Sequence, residues 1–331
     1  GRPPAGGDRS VANVVRRRLG AEAHLRLVDP LVGGINAGRS ERLSVQVTAP
    51  QIAEAARSRS LILGARRVRS AAATGAGGSP VFLTVRGGLG RLIDALAGHL
   101  REHGAEIRTG DGAARLERGA VLTESGDGLA AEAVVVTAPA PAAARLLAAI
   151  SAEAASGLAA IGYSSVALVT LAYPAAAVPG RIDGSGMLVP RLEGRLMTAA
   201  SWVNRKWPHL DQPDQFVVRV SAGRVGDDRA LAMDDDELIA RLHGELVEAM
   251  GISGRPSDGR VHRWVDAFPQ FDVGHAERVA RIESALRAAA PEIVLAGAAL
   301  RGVGLPTCIA GAESAVTQVL DVHRPITEET G

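Results

Sequence analysis

Ile293-Val-Leu-Ala-Gly-Ala-Ala-Leu-Arg-Gly-Val-Gly-Leu-Pro-Thr-Cys-Ile309 decides the fold. Its apolar opening, Glu292 to Ala296, predicts a short buried strand, the glycines a turn, and the stretch from Cys308 to Leu320 a helix. Free backbone N–H groups and the positive end of a helix dipole meet at Gly302 to Thr307. Such a junction holds negative charge, either a phosphate or a reduced flavin with its charge at N1 and the C2 carbonyl. The same glycines also serve a second reading, in which they only let strand and helix pack closely.

A partner for this strand lies upstream. Ala133-Val-Val-Val-Thr-Ala-Pro139 is β-branched with no polar alternation, the pattern of a parallel strand buried on both faces. Its carboxyl end, Thr137 to Pro139, is where an α/β sheet meets a ligand. Around it the sequence predicts a strand over Val81–Val85, a turn at Gly87-Gly88, a helix over Leu89–His99, and strands over Glu106–Leu116 and Val121–Leu122. A helix over Ala276–Ala289 precedes the closing strand. Between these α/β parts, strands at Val166–Tyr173, Gly186–Val189, Leu196–Trp202 and Phe216–Ser221 predict a second lobe on an antiparallel or mixed sheet, with one helix at Asp234–Met250.

The N-terminal region is helical in pattern. Ser10 is positioned as an N-cap before Val11, Val14, Val15 and Leu19 at helical spacing over residues 10–27, with Arg16, Arg17 and Arg18 alongside. The triplet offers contact with an anionic surface or simply a solvated face. Asp29 to Gly38 reads as a turn that carries backbone close to something, Ala49–Arg59 as a helix, and Arg66–Ser79 as a linker.

Composition narrows the function. With 37 basic against 36 acidic residues the net charge is +1, too balanced for a nucleic-acid partner. Cys308 is the single cysteine, which excludes an internal disulfide and a cysteine-rich metal site and fits a reducing cytoplasm. The uncharged run 154–180 could span a bilayer by length, but its Ser, Gly and Pro content and strand-like core argue otherwise. No metal site is expected: Asp234-Asp-Asp-Glu237 fits a helix N-terminus, and His99 with His103 sits at a helix C-terminus without a third ligand. Neither a Gly-x-Ser-x-Gly elbow, a P-loop nor His-Glu-x-x-His occurs.

Six segments in one order carry a resemblance. Asp29-Pro-Leu-Val-Gly-Gly-Ile-Asn-Ala-Gly38, Phe82 to Leu92, Gly184-Ser-Gly-Met-Leu-Val-Pro-Arg191, Ser221-Ala-Gly-Arg224, Phe268-Pro-Gln-Phe-Asp-Val-Gly-His275 and Leu295 to Ile309 together resemble the bacterial protoporphyrinogen/coproporphyrinogen III oxidases, which have the amine-oxidase-like flavoprotein fold. The resemblance implies an α/β (α+β) protein: an incomplete Rossmann-like FAD-binding lobe at 81–141 and 276–331, a mixed-sheet substrate lobe at 151–275, and a helical subdomain at 1–72. It implies FAD as cofactor, oxidation of a porphyrinogen by six electrons in haem biosynthesis, and oxygen as acceptor. Coproporphyrinogen III is favoured and protoporphyrinogen IX is the other substrate. Location is expected in the cytoplasm with possible peripheral membrane contact, and oligomeric state is left open.

Residue by residue, the resemblance puts Val303, Gly304 and Leu305 in the flavin turn and Trp264 beside the cofactor. Ala113 falls where a valine usually meets the adenine end, and Gly297 and Gly302 allow backbone approach. Arg191 and Arg224 lie in segments of the substrate lobe and suit substrate carboxylates, with solvated surface arginines as the competing reading. No catalytic base is assigned. Leu300 stands in place of an aromatic, Asn36 in place of a tyrosine, and Thr307 in place of an acidic residue. The family's strand–Gly-x-Gly-x-x-Gly–helix is not found, since Gly75-Ala-Gly-Gly-Ser-Pro80 follows no strand, so the sequence reads as an N-terminally truncated member. A carotenoid desaturase-like flavoenzyme and an inactive porphyrin-binding fragment are the alternatives.

Overall fold

The computed structural model describes residues 7–75, 83–179 and 182–322. Helices α1 (Val11–Ala23), α2 (Asp29–Asn36), α3 (Val45–Thr48), α4 (Pro50–Ala56) and α5 (Leu61–Gly75) come first, with a π-helical turn over His24–Val28 between α1 and α2. Then follow α6 (Gly90–Glu102), β1 (Ala113–Glu117), β2 (Ala120–Thr123), β3 (Gly128–Ala130), β4 (Val134–Val136), α7 (Ala140–Leu147) and α8 (Ala152–Ala159). The middle of the chain holds β5 (Tyr163–Pro174), β6 (Gly186–Leu188), β7 (Met197–Trp202), α9 (Val203–Lys206), β8 (Gln215–Ala222), α10 (Arg229–Ala232), α11 (Asp235–Met250) and β9 (Asp258–Pro269). Helix α12 (His275–Ala289), β10 (Ile293–Leu295), α13 (Ala298–Arg301) and α14 (Leu305–Val322) complete it.

Two sheets organise the site. Strands β4 and β10 pair in parallel, Ile293 opposite Val134 and Leu295 opposite Val136. Their two faces are covered differently: Ile293 and Leu295 pack with α7, α8 and α12, while Val294 and Ala296 pack with Ala315 and Val319 of α14. That double cover explains why β10 does not alternate with polar residues, whereas the burial on both faces expected for β4 is not found, since Val135 is 40% exposed. The larger sheet runs β6-β7-β8-β5-β9, every neighbouring pair antiparallel, so the lobe expected to be antiparallel or mixed is antiparallel. On β5 the odd residues Ala167, Val169, Leu171 and Tyr173 are fully buried in a core shared with Leu238, Leu242 and Leu246 of α11. The even residues Val166 and Leu168 face a cavity beneath α2 instead. A smaller antiparallel sheet, β1-β2-β3, is hydrogen-bonded to neither, but its Leu116 is buried in the core of Ile293 and Leu295.

Local chemistry accounts for the helix ends. Ser10 caps α1, its hydroxyl accepting from the Asn13 amide at 3.2 Å. Asp234 caps α11 in the same way at 2.8 Å from the Glu237 amide, so the acidic run is a helix start.

Several sequence expectations are corrected. Residues Asp29–Asn36 form a helix rather than a turn, ending at Ala37 in the left-handed region (φ 47°). Pro30 suits a first helical turn, and the glycines let the helix come close: a Cβ on Gly33 would lie 3.3 Å from the Gly38 carbonyl. The expected linker is helical as far as Gly75, and 76–79 lie outside the described residues. The strand expected at Val81–Val85 is not formed at 83–85, and 81 and 82 lie outside the described residues. The strand from Glu106 begins only at Ala113. Strand β9, twelve residues long, was not anticipated, because its alternation at an edge interleaves Arg260 and His262 with Val261 rather than forming an apolar run. Arg16 and Arg18 are not a free anionic-surface patch: Arg16 bonds His24 and Glu41, and Arg18 donates to the carbonyls of Ala56, Ser58 and Arg59.

Leu171 tests the role of the larger sheet. Leu171→Ala is expected to lower unfolding free energy by about 2–5 kcal/mol, seen as a lower urea midpoint with unchanged slope. A shift below a few tenths of a kcal/mol would show that this sheet does not carry the fold.

Candidate functional site

Two arginines from distant parts of the sheet lobe line one small cavity. Its floor is the even face of β5 with Ser221 and Phe268, its roof is α2, and its volume is about 50 Å³, the size of a carboxylate or two waters. Arg191 donates through Nη2 to the Gly38 carbonyl at 3.1 Å, which ties it to the loop after α2. Arg224 is only 9% exposed, and its Nε is buried without a hydrogen-bond partner. Asp227 lies 3.9 Å from that Nε, too far for a hydrogen bond. Both Asp227 oxygens are taken instead by Arg229, at 2.7 and 2.8 Å. Burial, then the neighbouring Arg191, push the Arg224 pKa down, while Asp227 and Asp29 push it back up. The cavity therefore holds a buried cation with incomplete compensation, the electrostatic condition for an anion site.

A polar chain not anticipated from sequence stands behind the cavity wall. Arg16 Nε donates to His24 Nδ1 at 3.1 Å, which places the ring proton on Nε2. Nε2 then donates to Ser40 Oγ at 2.8 Å, and Ser40 donates to Asp29 Oδ1 in a short contact. His24 and Ser40 are fully buried, and Asp29 nearly so. Burial first, then Arg16, lower the His24 pKa, so the ring is neutral. The π-helical turn at His24–Val28 is what carries His24 and Asp29 to this geometry. No spacing rule foretells it, since His24 and Ser40 are sixteen residues apart across a helix.

The glycine turn is the second feature. Gly297 and Gly302 adopt φ 111° and 143°, open to glycine and strained for other residues. A Cβ on Gly297 would lie 3.3 Å from the Thr137 carbonyl, at the carboxyl end of β4. The turn sits where both parallel strands end and the long helix α14 begins, with Val303 and Leu305 partly exposed. Such bare backbone, with unpaired amides at a helix start, fits the edge of a planar, electron-rich ring. His275 steadies this region: its Nε2 meets the Leu300 carbonyl at 2.9 Å, its ring packs edge-on against Phe271, and its Nδ1 is buried and unpartnered.

The other expected site residues are more dispersed. Trp264 lies half-exposed on edge strand β9, beside Asp266, a non-glycine residue at φ 45° in a bulge. Ala113 is exposed at the start of β1. Neither lines the arginine cavity. Rings of His99 and His103, at the end of α6, lie 4.1 Å apart and tilted by 44°, and no group of three or more metal-ligating side chains occurs among the described residues.

Known proteins are similar to this chain in sequence and fold. Residues 4–320 match the family model described as flavin containing amine oxidoreductase. Coproporphyrinogen III oxidase of Mycobacterium tuberculosis (strain H37Rv) is 37% identical over 318 residues, covering 96% of this chain and 67% of that protein. Coproporphyrinogen III oxidase of Bacillus subtilis (strain 168) is 32% identical over 321 residues, covering 95% and 67%. A crystal structure ascribed to a protoporphyrinogen oxidase of Exiguobacterium sp. 255-15 superposes with a TM-score of 0.82 at 30% identity, covering 97% of this chain and 68% of that one.

Two buried histidines and one half-buried histidine give the molecule a pH signature. His24, His243 and His275 are all held below 6.5, with burial the first cause in each. Stability from them is complete above 6.5 and is lost as pH falls from there toward their folded values, because the unfolded chain takes up protons first. The urea midpoint is expected to fall between about pH 7 and pH 5.5, with a shallower fall in His275→Gln. A midpoint that rises over that range would contradict the assignment.

Proposed function

This chain belongs to the flavin-containing amine oxidoreductases, and within that family we propose that it oxidises a porphyrinogen, coproporphyrinogen III foremost, to the porphyrin in haem biosynthesis. The observation that carries the substrate reading is the cavity with Arg191 and Arg224, because a porphyrinogen of this kind presents propionate carboxylates. A planar guanidinium pairs with a carboxylate through two parallel hydrogen bonds, and Arg224 has a donor to spare.

The cofactor is FAD, as the family is flavin-containing. Val303, Gly304 and Leu305 would lie along the flavin edge, with Gly297 and Gly302 leaving backbone bare for it, Trp264 beside the ring and Ala113 toward the adenine. Bound FAD supplies the two-electron oxidant, and oxygen is the acceptor we assign to the reduced cofactor. The chain's own groups bind and orient: the α14 start favours negative charge on the ring, and the arginines hold the substrate's acid side chains.

The lobes read from sequence stand as part of this proposal: helices at 1–72, cofactor lobe at 81–141 and 276–331, and substrate lobe at 151–275. Separate cores around Val11 with Leu43, around Leu147 with Ile293, and around Leu171 with Leu242 support three units, although Ala154, Leu158 and Ile161 pack in the second core, on the cofactor side of the 151 boundary. We place the protein in the cytoplasm, with contact at a membrane surface as a secondary feature. Among the described residues no helix is long and apolar enough to cross a membrane.

Two measurements test the reading. Coproporphyrin III, the fluorescent product, is expected to be quenched on binding, and Arg224→Met is expected to weaken that binding about tenfold through loss of charge-assisted hydrogen bonds. Equal affinity in wild type and an Arg191→Met/Arg224→Met double variant would remove the carboxylate role. FAD is expected to remain through desalting with the chain joined to the third of the Bacillus subtilis relative that it does not span, and a colourless joined protein would contradict the cofactor role of the turn.

A further inference from the structure

The acid in the arginine cavity has no part in the function described so far. Asp29 lines the same small space as Arg191 and Arg224, at the first turn of α2. An acid beside an anion site competes with the ligand for the cations unless something holds it away from them. Here Ser40 does so, accepting from neutral His24 and donating to Asp29 Oδ1. Each hydrogen bond from Arg16 to Asp29 points the same way, toward the carboxylate. Asp29 pairs with neither arginine, and no ion pair joins them within 4.0 Å among the described residues. With Asp227 spent on Arg229, two arginines and one aspartate leave a single net positive charge facing the cavity.

We propose that Asp29, fixed by Ser40 and His24, is the specificity-determining acid of this cavity, and that it matches the site to one carboxylate at a time rather than to a dianion. The proposal rests on the carboxylate reading of Arg191 and Arg224. Without Asp29 the site would carry two uncompensated positive charges and favour multiply charged acids. With Asp29 loose, its carboxylate would swing to Arg224 and displace the ligand. Neutralising Asp29 and freeing it thus act in opposite directions, which a purely structural role would not produce.

The test uses the full chain and competition against bound coproporphyrin III by butyrate, a monoanion, and succinate, a dianion. Asp29→Asn retains the shape and can still accept from Ser40. It is expected to strengthen butyrate binding about fivefold, and succinate by more than that, since each ligand charge is freed from repulsion by Asp29. Ser40→Ala is expected to weaken both. If Asp29→Asn and Ser40→Ala both weaken binding, or if the ratio of succinate to butyrate affinity stays unchanged in Asp29→Asn while Arg224→Met still loses binding, the role of Asp29 is overturned and the arginine reading stands. If Arg224→Met also leaves binding unchanged, the carboxylate reading falls and this proposal with it. Urea midpoints of each variant separate an altered site from an unfolded one.

Discussion

A guanidinium removed from water must be answered by negative charge, and Arg224 is answered only in part. Its natural counter-ion, Asp227, is committed to Arg229 by two short hydrogen bonds, which leaves Arg224 Nε buried and unpaired. Leaving such a donor without a partner costs on the order of 1–3 kcal/mol. That cost persists in a folded protein where the surroundings impose it, and here they do. Helix α2 closes over the sheet, the Gly38 carbonyl holds Arg191 close by, and the even face of β5 leaves no polar group to help. The arrangement of α2, the loop after it and four strands of the sheet all serve to keep two cations in one small recess.

The cofactor side follows a different constraint. Two parallel strands, β10 covered on both faces and β4 on one, end together at Thr137 and Gly297, and the chain must leave them without filling the space at their carboxyl ends. Glycines at 297 and 302 allow it, because their backbone angles would strain any side chain and a Cβ at 297 would crowd Thr137. His275, buried and neutral, ties the Leu300 carbonyl to α12 and fixes the approach to the turn. The proposed cofactor role rests on that short segment: the residues that let the sheet end cleanly also leave backbone bare at the start of a helix.

How much of this was readable from the sequence depended on whether the signal was local. The β4 and β10 strands and the turn between β10 and α14 were legible, since apolar runs and glycines are contiguous there. So was the close approach at Asp29 to Gly38, although its conformation was not: packing against the sheet stabilises a helix that two glycines would weaken in isolation. Strand β9 escaped because an edge strand alternates with charged residues and shows no apolar run. Arg191 and Arg224 could be named as carboxylate ligands only by resemblance, as their meeting depends on the residues after β6 and after β8 coming together. The chain from Arg16 to Asp29 was not legible at all, because a π-helical turn sets its register and polar residues in a helical stretch read as surface.

The central claim is that this scaffold oxidises a porphyrinogen through flavin. It is tested most directly by following porphyrin fluorescence from coproporphyrinogen III in air. The assay uses the chain alone, and the chain joined to the third of the Bacillus subtilis relative that it does not span. The account predicts porphyrin formation that requires FAD and exceeds autoxidation in the joined protein. A joined protein that folds and holds FAD, yet forms porphyrin no faster than buffer, would contradict it.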